Sequence, residues 1–376
     1  MKIVYLSFSR IPSQRANSVH VMKMSAAMSR LGNQVILLTR GNRNRSKLPV
    51  NVYYQYGVTR IFKIIRVFFP NIPFGWIIYG VNCIRYILKI QPNLIYARDT
   101  FGALLAQLFN IPTIYEVHSV AGGWRDKLLY PLIFKNQSLL KIVVISKALK
   151  HLIIDRYPSV DINNVVIAHD GVDLHKYSNV STPENNIFTY KNNQKVIGYF
   201  GSFYKGRGVN LVLEIARHLN ERQFILVGAS LEEMLTYSNY LLKNNINNVS
   251  IHEYIPNKDI SYYLKECSIL LMPYQNNLEV AGGGQDTSSW MSPLKMFEYM
   301  ASGRPIISSN LDVLTEVLKH RHNAILVEQD KVSQWISAIE EVFDDSMLRN
   351  RISKNAYNDV KTYTWNRRVE KVLLGI

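Results

Sequence analysis

Short apolar runs alternate along this chain with longer stretches in which apolar side chains return every three to four positions, the signatures of buried strands and of helices. Ile3–Phe8 predicts a first strand, and a polar loop leads from it to Val19, Met22, Ala26 and Met28 at helical spacing. A Leu31-Gly32-Asn33 turn precedes a strand over Gln34–Leu38, which closes a βαβ unit. Further strands are predicted at Leu94–Ala97, Thr113–Val117, Ile142–Ile145 and Val165–Ile167. The stretch 178–194 is polar and rich in Asn and predicts a linker. Beyond it the alternation resumes at Val196–Phe200, Phe224–Val227, Ser250–His252, Ile269–Met272, Pro305–Ile307 and Ala324–Val327. Such a pattern implies two doubly wound α/β domains with parallel sheets covered on both faces. The expected limits are 1–177 for the first domain, 195–355 for the second and 356–376 for a closing helical segment.

Composition fits that division. With 376 residues, 47% of them apolar, the chain can bury two cores. Cys83 and Cys267 stand alone, without disulfide or metal-ligand spacing, and point to a reduced compartment. The first apolar run is too short for a secretory signal, so the expected location is cytoplasmic. Charge is lopsided: residues 1–190 hold 23 of the 44 basic side chains but 8 of the 28 acidic ones, and none of the acids precedes Asp99. A basic half facing a polyanion suits nucleic acid or anionic lipid. On a helical wheel Ile61, Ile64, Ile65, Phe68 and Phe69 oppose Arg60, Lys63 and Arg66, the layout of an interfacial amphipathic helix. Peripheral contact with an anionic inner-membrane surface is therefore expected; a core-packed helix with solvated cations would show the same wheel.

Two segments carry candidate chemistry. In the first, Ser292 suits an N-cap, Pro293 a first helical position, and Gly303 a helix stop. A helix opening this way offers free N–H groups and a positive dipole end to phosphate, with Leu294, Lys295 and Glu298 near the mouth. It suits a nucleotide diphosphate with Glu298 on a ribose, although a surface helix carrying a chance Lys and Glu would read alike. In the second, a glycine-rich turn, Gly201-Ser202 through Lys205-Gly206-Arg207-Gly208, links a strand to the helix predicted over Val209–Leu219. It combines close backbone approach with two cations, or is an ordinary tight turn. His118 ends a strand, where open α/β sheets bind ligands, or is a satisfied structural His. No Asp-x-Asp pair and no metal-ligand spacing occurs, so no metal or other cofactor is expected.

These residues resemble the retaining, nucleotide-sugar-dependent glycosyltransferases of family four, which have the GT-B fold of two Rossmann-like domains facing a cleft. Glu298-Tyr-Met-Ala301-Ser-Gly303-Arg-Pro305 matches the second half of the family's signature, while Trp290 stands where its first carboxylate falls. Arg207-Gly208 takes the place of the family's Lys-Gly, and Ser202 that of its Arg. Arg15-Ala16 occupies the position of a glycine pair that lies over the donor phosphates. The resemblance implies a donor site from Glu298, Ser292, Pro293, Leu294, Lys295, Gly201, Ser202 and Ala16, with His118, Arg207 and Lys205 in catalytic roles. It also implies that the closing helix crosses back to the first domain. The expected reaction moves a hexose or hexosamine to a lipid-linked glycan in bacterial surface-polysaccharide synthesis. A GT-B epimerase or hydrolase of nucleotide sugars and a basic nucleic-acid-binding protein are the rivals, and the chain has no recognisable nucleic-acid module.

Overall fold

The computed structural model describes residues 1–41, 52–120, 123–178, 180–183, 186, 195–279 and 286–376, which form two units: 1–169 with 365–376, and 170–364. Most of the linker predicted over 178–194 lies outside the described residues.

Unit 1 starts with β1 (Lys2–Arg10), α1 (Ala16–Arg30) and β2 (Gln34–Gly41). A single turn, α2 (Val52–Gln55), precedes β3 (Lys63–Phe68), α3 (Gly75–Ile90) and β4 (Leu94–Ala97). Then come α4 (Thr100–Leu108), β5 (Thr113–Val117), α5 (Trp124–Phe134), β6 (Leu139–Val144), α6 (Lys147–Arg156) and β7 (Val165–Ile167). All neighbours pair in parallel, in the order β3-β2-β1-β4-β5-β6-β7. The central strands β4 and β5 are buried along their whole length, as expected for a sheet covered on both faces.

Segment 60–69 departs from the amphipathic-helix expectation. Lys63–Phe68 is the edge strand β3, paired from Ile36↔Lys63 to Gly41↔Phe68. Its run of Ile64, Ile65 and Val67 is β-branched, and those side chains settle more easily on a pleated surface than on a helix. The helix of this region starts only at Gly75, beyond Pro70 and Pro73.

Unit 2 contains α7 (His175–Ser178), β8 (Val196–Phe200), α8 (Val209–His218), β9 (Gln223–Ala229), α9 (Leu231–Lys243) and β10 (Val249–Glu253). It continues through α10 (Ile260–Glu266), β11 (Ile269–Met272), α11 (Leu294–Ser302), β12 (Ile306–Ser309), α12 (Asp312–Thr315) and β13 (Ile325–Val327). The helices α13 (Val332–Asp344) and α14 (Ser346–Asp359) complete it. Its parallel sheet runs β10-β9-β8-β11-β12-β13. Trp335, Phe224, Leu226 and Ile307 sit in its core. The last helix, α15 (Trp365–Leu373), packs on α1 of unit 1.

Strand order reverses direction between β1 and β4 in unit 1 and between β8 and β11 in unit 2. At such a switch point the loops leaving neighbouring strands part company and open a crevice at the carboxyl edge.

Candidate functional site

In unit 2 the glycine-rich turn leaves β8 at that switch point. Gly208 has φ +81°, and a Cβ there would lie 1.9 Å from the Pro273 carbonyl oxygen, so only glycine fits. It also caps α8 without a side chain, and Pro293 caps α11 without one, so neither helix has its amino end closed by its own cap. Ser292 is not the expected N-cap: its Oγ accepts the Asp170 N–H at 2.9 Å, and α11 starts at Leu294.

Lys295, in the first turn of α11, places its ammonium 4.3 Å from the Tyr199 ring centroid and 5.0 Å from that of Tyr274. Arg207 stacks over the same Tyr274 at 5.3 Å, and its Nη2 donates to the Glu279 carbonyl at 3.3 Å. A Cβ on Gly201 would fall 2.3 Å from Lys295 Nζ, so this glycine makes room for the ammonium. Lys295 Nζ and Arg207 Nε are both shielded from solvent and have no hydrogen-bond partner. Burial first, and then repulsion from Arg207, hold the Lys295 ammonium well below its usual pKa; Glu298 offsets this in part. Two crowded cations with donors still unused, Lys295 Nζ and Arg207 Nε, lie beside two open helix ends, an arrangement that suits a multiply charged anion.

Other expected residues lie around this core. Glu298 Oε1 accepts from Asn257 Nδ2 at 2.8 Å, and the other end of that amide accepts from Lys176 Nζ at 3.2 Å. The Ser202 carbonyl accepts the Tyr199 hydroxyl at 2.7 Å. Lys205 is exposed on the turn, so Lys295 and not Lys205 shares Tyr274 with Arg207. Tyr199, Tyr274 and Asn257 were not anticipated; no local motif marks an aromatic floor whose members come from different strand ends.

In unit 1, Ala16 is the exposed first residue of α1, whose cap Arg15 makes no side-chain cap hydrogen bond. His118 follows β5 and donates from Nε2 to Glu116 Oε1 in a short hydrogen bond. Glu116 is buried; it accepts Arg368 Nη2 at 3.1 Å and Nη1 at 3.2 Å, together with the Tyr96 hydroxyl. His20 Nε2 lies 3.0 Å from Glu116 Oε1, and Arg98 Nε lies 4.0 Å away. The guanidinium of Arg368 holds the Glu116 carboxyl well below the usual range against the opposing effect of burial. Because Nε2 serves Glu116, Nδ1 is the nitrogen that His118 can offer to a ligand hydroxyl.

His20, Glu116 and His118 bring ligand-type atoms within 4.8 Å of one another, a convergence that spacing in the sequence does not reveal. A divalent ion there would meet Arg368 on both carboxylate oxygens and Arg98 beside them, and the charge balance opposes it. The cluster is a hydrogen-bonded network that fixes the His118 ring.

Burial, and then the Arg98 charge, depress His118 from 6.5 to about 4. The unfolded chain therefore takes up this proton first. Stability should be fully present above about pH 6.5 and decline as pH falls toward 4, by at most about 3 kcal/mol. Urea unfolding at pH 7.5 and 5 measures this slope, and His118→Asn should flatten it; an unchanged slope would contradict the buried neutral imidazole.

Residues 18–176 match the family model "Glycosyltransferase Family 4", and residues 182–359 match "Glycosyl transferases group 1". The YtcC protein of Bacillus subtilis, named as a glycosyltransferase, is 26% identical over 58% of this chain and 55% of its own length. An Escherichia coli enzyme named UDP-Gal:alpha-D-GlcNAc-diphosphoundecaprenol alpha-1,3-galactosyltransferase is 25% identical over 78% of this chain and 77% of its own. The crystal structure of Anabaena HepE with UDP superposes with a TM-score of 0.74 at 13% identity, covering 100% of both chains. With one glycosyltransferase model on each unit and two parallel α/β sheets shared with a known GT-B structure, the chain is a GT-B glycosyltransferase of the group 1 and family 4 type.

Proposed function

We propose that the chain transfers a hexose or hexosamine from a nucleotide diphosphate sugar to a hydroxyl of a lipid-linked glycan, with retention at the anomeric carbon, in surface-polysaccharide synthesis. The observation that carries this reading is the Lys295–Arg207 pair, two cations over one tyrosine ring whose shielded Nζ and Nε atoms have hydrogen bonds still to make. A diphosphate satisfies both. The N–H groups at the amino ends of α8 and α11 and around Gly201-Ser202 add donors, and Glu298, steadied by Asn257, receives ribose hydroxyls. Charge building on the departing diphosphate meets cations already in place, with no metal in the step. Neutral His118 accepts a hydroxyl of the transferred sugar at Nδ1, and Ala16 stands in the loop over the donor. The E. coli relative's name pairs a UDP-sugar with a diphosphate-linked lipid, and the HepE structure contains UDP; both agree with this donor and acceptor chemistry.

Among the described residues no helix is long and apolar enough to cross a membrane. We place the membrane-facing surface of unit 1 on α3 and α5 in place of segment 60–69. Trp124, Leu128 and Leu132 form one exposed stripe on α5, and Ile77, Ile78 and Val81 are exposed on α3. Trp76 and Trp124, with ring centroids 6.5 Å apart, bring the two helices together, and Arg125 and Lys127 flank the stripe. Each such cation adds about 1 kcal/mol near anionic lipid, which suits reversible docking to the inner face of the plasma membrane.

The test is nucleotide release from a panel of nucleotide sugars, with and without a short-chain lipid-diphosphate glycan acceptor. Release should depend on acceptor, and Glu298→Ala should lose at least about a hundredfold in turnover while the protein stays folded. Complete conversion of donor alone, or full activity of the variant, would defeat the reading.

A further inference from the structure

The carboxyl edge of the unit-1 sheet holds a second group of cations; Arg15 also stands in the loop over the donor, while Arg10 and Arg40 serve neither the donor site nor the His118 network. Arg10 ends β1 and pairs in register with Arg40 near the end of β2. Arg15 caps α1 at the end of the loop that follows β1. The Arg40 guanidinium lies between two rings, 4.7 Å from the Phe8 centroid and 4.8 Å from that of Phe69. Those rings sit edge to face at 5.1 Å, and Phe8 also meets buried Tyr79 at 5.2 Å, so the floor beneath the guanidinium is rigid. Arg40 Nε is shielded from solvent and has no hydrogen-bond partner. Arg10 and Arg15 are close enough to act on its charge, and both are exposed.

Among the described residues no carboxylate pairs with these three. The chain has no Asp or Glu before Asp99, and Asp99 spends its side chain on the Gly102 N–H at the start of α4. A stacked arginine kept for packing alone gains nothing from two further guanidiniums beside it, whose repulsion costs stability. The cost is offset when a multivalent anion bridges them, because planar guanidinium groups match phosphate oxygens in pairs. β1 is also the strand at which the order of this sheet reverses, where its carboxyl edge opens a crevice.

We propose that Arg40, with Arg10 and Arg15, binds a phosphoryl group of the acceptor, so that the acceptor is a phosphate or diphosphate ester and not a neutral glycan. The proposal rests on the reading that unit 1 receives the acceptor. Arg40 supplies the fixed contact on its aromatic floor, and the two exposed arginines close over the ligand from β1 and α1.

The test is calorimetric binding of inorganic pyrophosphate and of farnesyl diphosphate to the full chain, with UDP present in excess to occupy unit 2. Both should bind, and farnesol should not. Arg40→Gln should weaken each at least about tenfold, and so should the double variant R10Q/R15Q. The double variant alters only exposed side chains, so the test stands even if Arg40→Gln misfolds. UDP affinity measured alone should stay within about twofold of wild type in Arg40→Gln. Tighter binding of farnesyl diphosphate than of pyrophosphate would place the phosphate on a lipid carrier; equal binding would place it on a soluble ester, and either result supports the site. Unchanged pyrophosphate binding in R10Q/R15Q, or glucuronate competing as well as pyrophosphate does, would overturn the proposal. If UDP does not bind the wild type, the donor reading fails while the arginine comparison still reads on this site.

Discussion

Lys295→Met should lower transfer by about two to three orders of magnitude while raising the melting temperature. The two effects have one cause. The Lys295 ammonium lies shielded over Tyr199 and Tyr274, beside Arg207 and without a hydrogen-bond partner. Burying a cation this way opposes folding, and methionine keeps the stem against the rings while removing the charge. In the proposed reaction the same ammonium would be held where negative charge grows on the leaving diphosphate. Losing one preorganised donor of this kind typically costs about 3–4 kcal/mol in the transition state. If the cation acts mainly there, turnover falls more than donor affinity does; a rise in KM alone would make it a ground-state binder. Arg207→Met should cost a similar factor, and the double variant should lose less than the product of the two, because they share one anion and one ring. Calorimetric melting together with turnover checks both signs. Full activity in Lys295→Met would remove the donor site from this position.

Much of the fold was legible because parallel strands buried on both faces appear as compact apolar runs, and runs such as Thr113–Val117 and Val196–Phe200 match their strands in both limits. The turn over 201–208 was legible for the same local reason: positive φ at Gly206 and Gly208 requires glycine and leaves a mark in the sequence. The apolar positions of segment 60–69 fit a helical wheel, and only pairing with β2 and its β-branched content decide for a strand. Ser292 does not cap α11, because capping preferences see neighbours in sequence while its Oγ accepts the backbone N–H of Asp170, 122 positions away. The core of the proposed donor site is half legible. Lys295 and Arg207 are visible as residues, but Tyr199 and Tyr274 close around them only in three dimensions. The Glu116 network was hidden altogether, since its main partner lies 252 positions further along the chain.

That distant partner makes Arg368→Leu the most damaging single change expected for stability, at about 3–5 kcal/mol. Arg368 is 4% exposed, binds both Glu116 oxygens, and donates from Nε to the His169 carbonyl at 3.0 Å. It ties α15 to the centre of the unit-1 sheet. Leucine fills the space but leaves Glu116 a buried carboxylate with the Tyr96 hydroxyl, two histidines, one of them held neutral, and a single cation, Arg98, at 4.0 Å. In the wild type the depressed Glu116 pKa gives stability that is present above the usual carboxylate value and is lost only as pH falls well below it. In Arg368→Leu the pKa should move above that value, so the variant's deficit should be largest near pH 7 and shrink as pH falls toward 5. Adding Glu116→Gln should recover most of the loss, because a neutral amide needs no counter-charge. Transfer should stay impaired in that double variant, since His118 no longer has a carboxylate to set its tautomer and ring angle. Urea midpoints at pH 7 and 5, paired with turnover, separate these effects. A loss below about 1 kcal/mol in Arg368→Leu would mean that the ion pair is ornament and that α15 is held by Trp365 and Val369 alone, both of which are buried against unit 1.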